Sequence, residues 1–295
     1  MFIRGVTTNE AMKRRVGRAV LALFAIGFGC AVFIYLTLPD VRTLRTSNPA
    51  STAFIDLRAR EARARGEQPR RIQRWVPYAR VSPNLTRAVL VTEDSRFWKH
   101  EGIDFDELKE SMETNIERME FARGGSTITQ QLAKNLYLSP SKNPVRKLRE
   151  LLIARRLEAE LSKQRILELY LNNIEWGNGI YGAEAAARTY FHKSAASLSA
   201  PESALLAAAI NSPRVYNPGR PTERLRRRQD MVLRRMGAVT PPPVVAGPVI
   251  PPPPGTAPEP EPIPEIPEVV GPPSTLPGQP VAVPKGPGEK PPGDR

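Results

Sequence analysis

An uncharged apolar run near the N-terminus constrains this chain more than any other feature. Residues 19–38, AVLALFAIGFGCAVFIYLTL, contain 20 residues without a charged side chain, enough for one helix to cross the hydrocarbon core of a bilayer. By the positive-inside rule, residues 1–18 stay in the cytoplasm and the chain after residue 38 lies outside. The one acid before the run is Glu10, and the cations are Arg4, Lys13, Arg14, Arg15 and Arg18.

Two features of this region argue against a cleaved signal peptide. The apolar run is longer than the core of such a peptide, and the following TLPDVRTLRT has no small-residue cleavage site. We therefore predict that residues 19–38 form an uncleaved, single-pass transmembrane helix. Cys30 lies within it, where a thiol behaves as a small apolar group. Because Cys30 is the only cysteine and there are two histidines, the sequence excludes an internal disulfide framework and argues against an ordinary zinc site.

Proline sets the C-terminal end apart from the rest of the chain. Residues 240–295 contain 21 of the 32 prolines and carry six acids against three cations. This composition cannot bury a core, so we predict a disordered tail over 238–295 with a polyproline II bias. We favour the interpretation that the tail is a spacer over the alternative that it binds an aromatic groove of a partner, because no single P-x-x-P segment differs from the rest. The whole chain has a net charge of +13 and the tail one of −3, so the body carries +16, which indicates an anionic partner.

The segment between the apolar run and the globular part, residues 39–74, is rich in arginine. One interpretation is a solvated helix in which Glu61 and Glu67 pair with some of the cations. The other is a surface held against anionic lipid headgroups, and the sequence leaves both open. The arginines are Arg58, Arg60, Arg63, Arg65, Arg70, Arg71 and Arg74.

Residues 75–237 have the pattern of a helical domain. Ser82-Pro83 and Asn143-Pro144 each combine an N-cap residue with proline at the first helical position. Ser162 and Ser199 are N-cap candidates for two further helices. No stretch alternates polar and apolar residues for long enough to indicate a sheet. The predicted fold class is therefore mostly α.

The first candidate for chemistry is the pair Glu93-Asp94. Glu93 follows Val89 by four residues and so lies on the same apolar helix face, where burial raises the pKa of a carboxyl group. A carboxyl group tuned in this way suits general acid or base catalysis near neutral pH. The alternative is a helix end whose carboxylates face water, and an isolated Glu-Asp pair would favour that alternative.

Two further segments place polar groups at helix starts. Residues 124–135, GGSTITQQLAKN, offer backbone N–H groups, hydroxyls, amides and a lysine to a phosphate or a sugar. A capped helix with surface amides fits that segment equally well. Residues 146–150, RKLRE, place Arg146 and Glu150 on one helix face. They are either an ordinary ion pair or a carboxylate held among cations beside an anionic leaving group.

Five segments together resemble the ordered motifs of the glycosyltransferase family 51 peptidoglycan polymerases. The resemblance runs from RWVPY (74–78) to NSPRVYNP (211–218), and it is strongest to the monofunctional members of the family. The first motif of a penicillin-binding transpeptidase is matched in Ser139-Pro140-Ser141-Lys142, but the other two are absent. The five segments are EDSRFWKHEG (93–102), GGSTITQQLAKN (124–135), RKLRE (146–150), KQRILELYLN (163–172) and GAEAAARTYFHK (182–193).

The resemblance implies a lysozyme-like glycosyltransferase lobe over 75–237 and a small membrane-associated jaw lobe that includes residues 104–123. It implies a bacterial inner-membrane enzyme. Because the predicted anchor places the catalytic domain outside the cytoplasm, nucleic acid is not an expected partner. The implied substrates are lipid II and the growing glycan strand, joined into a β-1,4 chain with inversion and release of undecaprenyl pyrophosphate, without transpeptidation. Membrane lipids are implied partners, and cell-wall synthesis or division proteins are further candidates.

By the same resemblance Glu93 is the general base and Glu150 the second catalytic carboxylate. No cofactor is required, although the resemblance leaves open a Mg²⁺ or Mn²⁺ ion at the pyrophosphate. Glu168 is a further candidate for the catalytic site, but packing within its own helix explains this residue nearly as well. The rival functions are a glycan hydrolase, which the RKLRE cations argue against, and a non-catalytic scaffold, which the complete motif set argues against. The residues expected to bind substrate or to shape the site are Asp94, Phe97, His100, Ser126, Thr127, Gln131, Lys134, Asn135, Arg146 and Lys147.

Overall fold

Helices dominate the architecture, as the sequence predicts. The structure, a computed structural model, describes residues 4–118, 125–139, 143–238 and 250–251. The helices are α1 (Arg4–Leu36), α2 (Ala53–Ala64), α3 (Pro83–Glu93), α4 (Phe105–Arg118), α5 (Ile128–Tyr137), α6 (Pro144–Glu160), α7 (Lys163–Asn173), α8 (Ala183–Phe191), α9 (Ala200–Ala209) and α10 (Glu223–Arg235). Short 3-10 turns lie at Arg42–Arg45, Tyr78–Arg80, Phe97–Lys99, Ala195–Ser197 and Met236–Ala238, and the strands are β1 (Ile72–Gln73), β2 (Glu175–Gly177) and β3 (Ile180–Tyr181).

Side-chain caps fix where the helices begin. Ser82 caps α3, Asn143 caps α6 and Ser162 caps α7, each accepting a hydrogen bond from a backbone N–H of the first turn. Ser199 and Glu202 form a reciprocal capping box at the start of α9. All four predicted helix starts are thus confirmed, because the signal for each lies within a few residues of the sequence.

The N-terminal helix α1 contains the apolar run. Its segment Arg15–Leu36 is long and apolar enough to cross a membrane, and none of it is buried against the rest of the described chain. The helix ends at Leu36, two residues before the predicted limit. Length and composition therefore fit a single membrane anchor, while its orientation across the membrane remains a prediction.

The core lies where α5 packs between α6 and α7 and where α3 packs against α9 and α10. This arrangement brings the C-terminal end of α3 to the start of α5 and the start of α6, so the candidate chemical residues of three separate segments meet. Fully buried side chains include Leu85, Leu132, Ile153, Leu157, Leu167 and Trp176.

A small sheet, which the sequence did not indicate, closes one side of the core. Its order is β1-β3-β2, with β1 parallel to β3 and β2 antiparallel to β3. Strands of two or three residues are too short to show an alternating pattern. Gly179 ends the turn before β3 at φ +69°, and a Cβ there would lie 2.7 Å from the carbonyl oxygen of Arg70. Only glycine allows that approach between β1 and β3.

The basic segment 39–74 packs onto the domain rather than standing apart from it. Val41 and Leu44 are buried in the same core as the helices that follow, and Ile55 of α2 is buried as well. Arg58 pairs with Glu61 and Glu175, and Arg65 pairs with Glu67. These contacts support the interpretation in which acids of the segment satisfy part of its arginines, and contact with lipid headgroups stays a prediction.

Two predicted regions are described only in part. The jaw prediction covers α4, whose Leu108 is exposed, but residues 119–124 are not described. The predicted disordered tail is described only at Ala238, Ile250 and Pro251, and Ala238 ends the last 3-10 turn. The carbonyl oxygen of Pro251 accepts a hydrogen bond of 2.6 Å from the side-chain amide of Asn48.

Candidate active site

Glu93, the last residue of α3, carries a carboxyl group that is shielded from solvent. Its Oε2 accepts a hydrogen bond of 2.9 Å from Nε2 of Gln131, and its Oε1 has no hydrogen-bond partner among the described residues. Burial raises the pKa of Glu93, while the hydrogen bond from Gln131 and the charges of Arg228 and Lys134 act in the opposite direction. Oε1 is thus the carboxylate oxygen without a donor among the described residues, and it lies beneath the surface, so a bound hydroxyl would have to enter the site to reach it.

A buried tyrosine fixes the amide that holds Glu93. The hydroxyl of Tyr170, on α7, donates a hydrogen bond of 3.0 Å to Oε1 of Gln131. The Gln131 amide must therefore turn its NH₂ group toward Glu93. Burial raises the pKa of Tyr170 well above its usual value, and the neighbouring Glu93 and Asp94 raise it further. Tyr170 stays protonated at physiological pH and remains a donor in this chain of hydrogen bonds.

Asp94 ties the loop after α3 to the start of α5. Its Oδ2 accepts a hydrogen bond of 2.9 Å from the backbone N–H of Ile128, and both carboxylate oxygens lie within 3.1 Å of Nε2 of His100. His100 Nδ1 in turn accepts from the backbone N–H of Gly102 at 3.1 Å. The Asp94 carboxylate and the His100 imidazole are thus both engaged by protein partners. They support the Glu93 site from within the protein.

Phe97 also lies behind the site. Its ring is fully buried, packs edge-on against Trp98 with ring centroids 4.9 Å apart, and lies 4.4 Å from Nζ of Lys163. A fully buried ring has no surface to offer a substrate in this conformation. The position of Phe97 thus agrees with shaping of the site and not with direct substrate contact.

Thr127 is the N-cap residue of α5. Its hydroxyl accepts a hydrogen bond from the backbone N–H of Gln130 at 3.2 Å and donates one to the carbonyl oxygen of Gly102 at 2.7 Å. The amide of Gln130 donates to the same carbonyl oxygen at 3.1 Å. These contacts hold the start of α5 against the loop after α3, so Thr127, like Asp94, supports the site from within the protein.

Glu150 is buried between two cations near the start of α6. Its Oε2 lies 2.6 Å from Nη1 of Arg146, and its Oε1 lies 2.5 Å from Nζ of Lys147. The side chain of Glu150 is only 4% exposed, against 19% for Arg146 and 41% for Lys147. The carboxylate is therefore enclosed, while the cations reach the surface, where an anion can approach them.

Neighbouring glutamines on α5 link the two carboxylates. Nζ of Lys147 donates to Oε1 of Gln130 at 3.0 Å and to the hydroxyl of Ser126 at 3.3 Å. Gln130 thus holds the cation cluster, whereas Gln131, the next residue, holds Glu93. One turn of one helix sets the position of both groups, so a shift of α5 would disturb them together.

Lys134 and Asn135 follow Gln131 by three and four residues and so lie on the same face of α5. Both are partly exposed, and neither makes a side-chain hydrogen bond or ion pair to any described residue. Among the described residues the ammonium group of Lys134 thus has no partner, and its positive charge acts on Glu93. Glu168, by contrast, is occupied in packing, because it pairs with Arg165 and accepts from the backbone N–H of Tyr78 at 2.8 Å.

Sequence reasoning did not identify Tyr170, Gln130 or Arg228 as parts of this site. Tyr170 lies in the KQRILELYLN segment, where its spacing from Ile166 and Leu167 is equally typical of an apolar helix face. Arg228 lies on α10 between the buried Leu225 and Val232, with its guanidinium 5.4 Å from the ring centroid of Tyr216. No local pattern distinguishes it from the other arginines of that helix.

The arrangement combines a proton acceptor with an anion-binding cluster. Glu93 has the raised pKa and free oxygen of a general base, while Arg146, Lys147 and Lys134 offer positive charge to a phosphate. Within the described ranges, no group of three or more His, Cys, Asp or Glu side chains is placed to hold a metal ion.

Comparison with known proteins gives one consistent result. Residues 61–237 match the family model described as Transglycosylase. The chain is 47% identical over 195 residues to the biosynthetic peptidoglycan transglycosylase of Nitrosospira multiformis, covering 66% of this chain and 85% of the relative. It is 48% identical to that of Herminiimonas arsenicoxydans, covering 66% and 84%. It is 42% identical over 232 residues to that of Laribacter hongkongensis, covering 78% and 100%.

Proposed function

The chain belongs to the transglycosylase family and is a peptidoglycan glycosyltransferase, and from that premise we propose that it polymerises lipid II into β-1,4 glycan strands. The growing strand is the glycosyl donor, and undecaprenyl pyrophosphate is the leaving group. The observation that carries this proposal is the pairing of Glu93, a buried base with a free oxygen, with the cations around Glu150. Such a pair suits attack by a hydroxyl on a sugar that carries a phosphate.

In the proposed reaction Glu93 takes the proton from the 4-hydroxyl of the incoming lipid II. The hydroxyl oxygen then forms a bond to the anomeric carbon of the donor as the bond from that carbon to the pyrophosphate breaks. One displacement converts the α-linked phosphate into a β-linked sugar, so no covalent enzyme intermediate is needed. The hydrogen bond from Gln131 to Oε2 leaves Oε1 of Glu93 as the atom that receives the proton.

The leaving pyrophosphate is stabilised by positive charge. Arg146 and Lys147 are held at fixed positions by Glu150, and Lys134 is free of protein partners within the described chain. Cations that are oriented before the reaction lower the barrier because they need not reorganise as charge develops. In this proposal Glu150 acts by orienting the two cations, and Ser126 and Asn135 provide hydrogen bonds to sugar or phosphate oxygens. Gln131, whose amide is engaged by Glu93 and Tyr170, positions the base.

No cofactor is assigned a step in this mechanism. The three cations neutralise the pyrophosphate without a metal, although Mg²⁺ or Mn²⁺ bound by the phosphates themselves would serve the same electrostatic purpose. We also propose that transpeptidation is absent, because the only segment with the first transpeptidase motif, residues 139–142, has no companion motifs elsewhere in the sequence.

The proposed location is the bacterial inner membrane. In this proposal α1 crosses the bilayer once, its N-terminus lies in the cytoplasm and the catalytic domain lies outside. The resemblance to relatives named biosynthetic peptidoglycan transglycosylases supports a membrane-associated enzyme. The basic body then faces anionic headgroups and a pyrophosphate substrate, which accounts for its positive charge.

The direct test is polymerisation of labelled lipid II by the detergent-purified full chain, with moenomycin as an inhibitor. We expect ladders of glycan products that moenomycin blocks. Muropeptides released from finished sacculi would instead favour the hydrolase. A folded protein that gives neither product would favour a scaffold.

The pH dependence of this activity tests the environment of Glu93. Because the charge of Arg228 lowers the pKa of Glu93, Arg228→Ala should raise that pKa further. The base works only when deprotonated, so the acidic limb in a plot of kcat/KM against pH should move to higher pH. Arg227→Ala, on the exposed side of the same helix, should leave the limb in place. An unmoved limb in Arg228→Ala would contradict an influence of Arg228 on the base.

A further inference from the structure

The end of the membrane-anchor helix is fastened to the helix that begins with the catalytic cations. Three arginines, Arg149 and Arg156 on α6 and Arg165 on α7, contact the chain between residues 35 and 48. We call these three residues the anchor seat. None of them belongs to the site described above, and Arg149 directly precedes Glu150.

Arg149 and Arg156 bind the last turn of α1 and the residues after it. Arg149 donates to the hydroxyl of Thr37 at 3.0 Å and to its carbonyl oxygen at 2.8 Å. Arg156 donates to the carbonyl oxygen of Tyr35 at 3.2 Å and to that of Leu38 at 3.4 Å. Its guanidinium also lies 4.8 Å from the ring centroid of Tyr35. Each arginine therefore contacts both the backbone and a side chain of the segment at the end of α1.

The chain that follows is held in the same way. Arg165 donates to the carbonyl oxygens of Leu44 at 2.9 Å and Ser47 at 2.8 Å. In the reverse direction, Arg45 donates to the carbonyl oxygen of Glu160, the last residue of α6, at 2.9 Å. Apolar contacts reinforce these bonds, since the core includes the buried Leu38, Val41 and Leu44.

Helix ends explain why arginines occupy these positions. The last four carbonyl groups of an α-helix lack partners within the helix, and the C-terminal end carries partial negative charge. Cationic side chains donate hydrogen bonds to these carbonyl groups and also interact favourably with the partial negative charge. A guanidinium is suited to this task because its fixed fork donates to two acceptors at once, which the single ammonium of lysine does not reproduce.

We propose that the anchor seat holds the catalytic lobe at a fixed height and orientation on the membrane, so that the cations of α6 meet the pyrophosphate of a membrane-held substrate. This inference rests on the proposed function. A flexible linker of this length would let the lobe tilt and drift, whereas the seat joins α1 to α6 directly. Arg149 and Arg156 are thus positioning residues that act through α6 and do not touch the substrate.

The test compares two substrates with the full chain held in lipid nanodiscs. One is full-length lipid II in the bilayer, and the other is a water-soluble lipid II analogue with a short prenyl chain. In Arg149→Ala/Arg156→Ala we expect the rate on the bilayer substrate to fall at least about tenfold, since small misplacements of reacting groups cost such factors. The rate on the soluble analogue should remain close to that of the wild type.

A matched control separates the seat from net charge. Arg155→Ala/Arg226→Ala removes the same number of cations from exposed positions and should keep both rates. Arg149→Lys/Arg156→Lys preserves the charge but loses the forked geometry, and it should lose activity on the bilayer substrate as the alanine variant does. Equal losses on both substrates, no loss on either, or full activity in the lysine variant would each overturn the proposal.

A distance measurement tests the seat without any activity. Cys30 is the only cysteine of the chain and lies in α1, so a spin label there reports on a second label placed at the exposed Ala196 by Ala196→Cys. Electron spin resonance should give a narrow distance distribution in this labelled protein and a broad one when Arg149→Ala/Arg156→Ala is added. Unchanged distributions would overturn the seat even if lipid II is polymerised. A broadened distribution would support it even if the wild type polymerises neither substrate, in which case the proposed function fails alone.

Discussion

Glu93→Gln should abolish polymerisation of lipid II while leaving the fold intact. The substitution is nearly isosteric and keeps a side-chain oxygen that can accept the hydrogen bond from Gln131. An amide, however, cannot take up the proton of the attacking hydroxyl. Loss of a general base costs about 10²- to 10⁴-fold in rate, which would remove visible glycan ladders. The measurement is the rate of ladder formation by the purified variant, with circular dichroism to check its fold.

The same variant should be at least as stable as the wild type. Burial raises the pKa of Glu93 above that of an unfolded glutamate, so ionising it in the native state costs folding free energy at neutral pH. Glutamine does not carry that cost. The melting temperature of Glu93→Gln should therefore equal or exceed that of the wild type near pH 7, and any advantage should vanish below about pH 4, where both folded and unfolded glutamates are protonated.

Glu101→Gln provides the matched control, because Glu101 lies in the same motif but its side chain is 80% exposed. We expect normal ladders from it. A well-folded Glu93→Gln protein that still forms ladders would refute the assignment of Glu93 as the base, whatever its stability.

The second large effect is expected from Glu150→Gln. This change removes the carboxylate that orients Arg146 and Lys147, so the cations no longer hold their positions at the leaving pyrophosphate. The expected loss is about 10²-fold, comparable to removing one preorganised electrostatic contact to a transition state. Because the contact strengthens as charge develops, kcat should fall much more than KM changes.

The free energy of unfolding of Glu150→Gln should also fall, but by less than the loss of a fully buried ion pair would cause. Breaking a fully buried ion pair costs about 3–5 kcal/mol. Here Lys147 is 41% exposed and regains water when its partner is lost, so the decrease in unfolding free energy should be smaller. Denaturant titration of both proteins measures it.

A surface pair with the same spacing serves as the control. Glu223 and Arg227 are also four residues apart on a helix, 3.2 Å from each other, but their side chains are 76% and 68% exposed. Glu223→Gln should change neither rate nor stability measurably, as is usual for exposed pairs. Unchanged kcat in Glu150→Gln would contradict the proposed role of the cation cluster.

The helical part of the fold was largely predictable because its signals are local. Ser82, Asn143, Ser162 and Ser199 cap their helices as the sequence predicted. The burial of Glu93 was also predictable, since four residues from Val89 place it on the same helix face. The three-stranded sheet was missed, because pairing between Ile72 and Ile180 leaves no periodic trace in strands of two residues.

By itself, the sequence determined the apolar helix, the mostly α fold class, the family motifs and the family itself, all of which depend on residues close together in the chain. Only the tertiary structure decided how those residues meet. Gln131 lies 38 residues from Glu93 and 39 from Tyr170, yet hydrogen bonds join all three. Arg149 lies 112 residues from Thr37. Such contacts arise from the packing of whole helices, and helix packing depends on the combined shape of many side chains that no local pattern records.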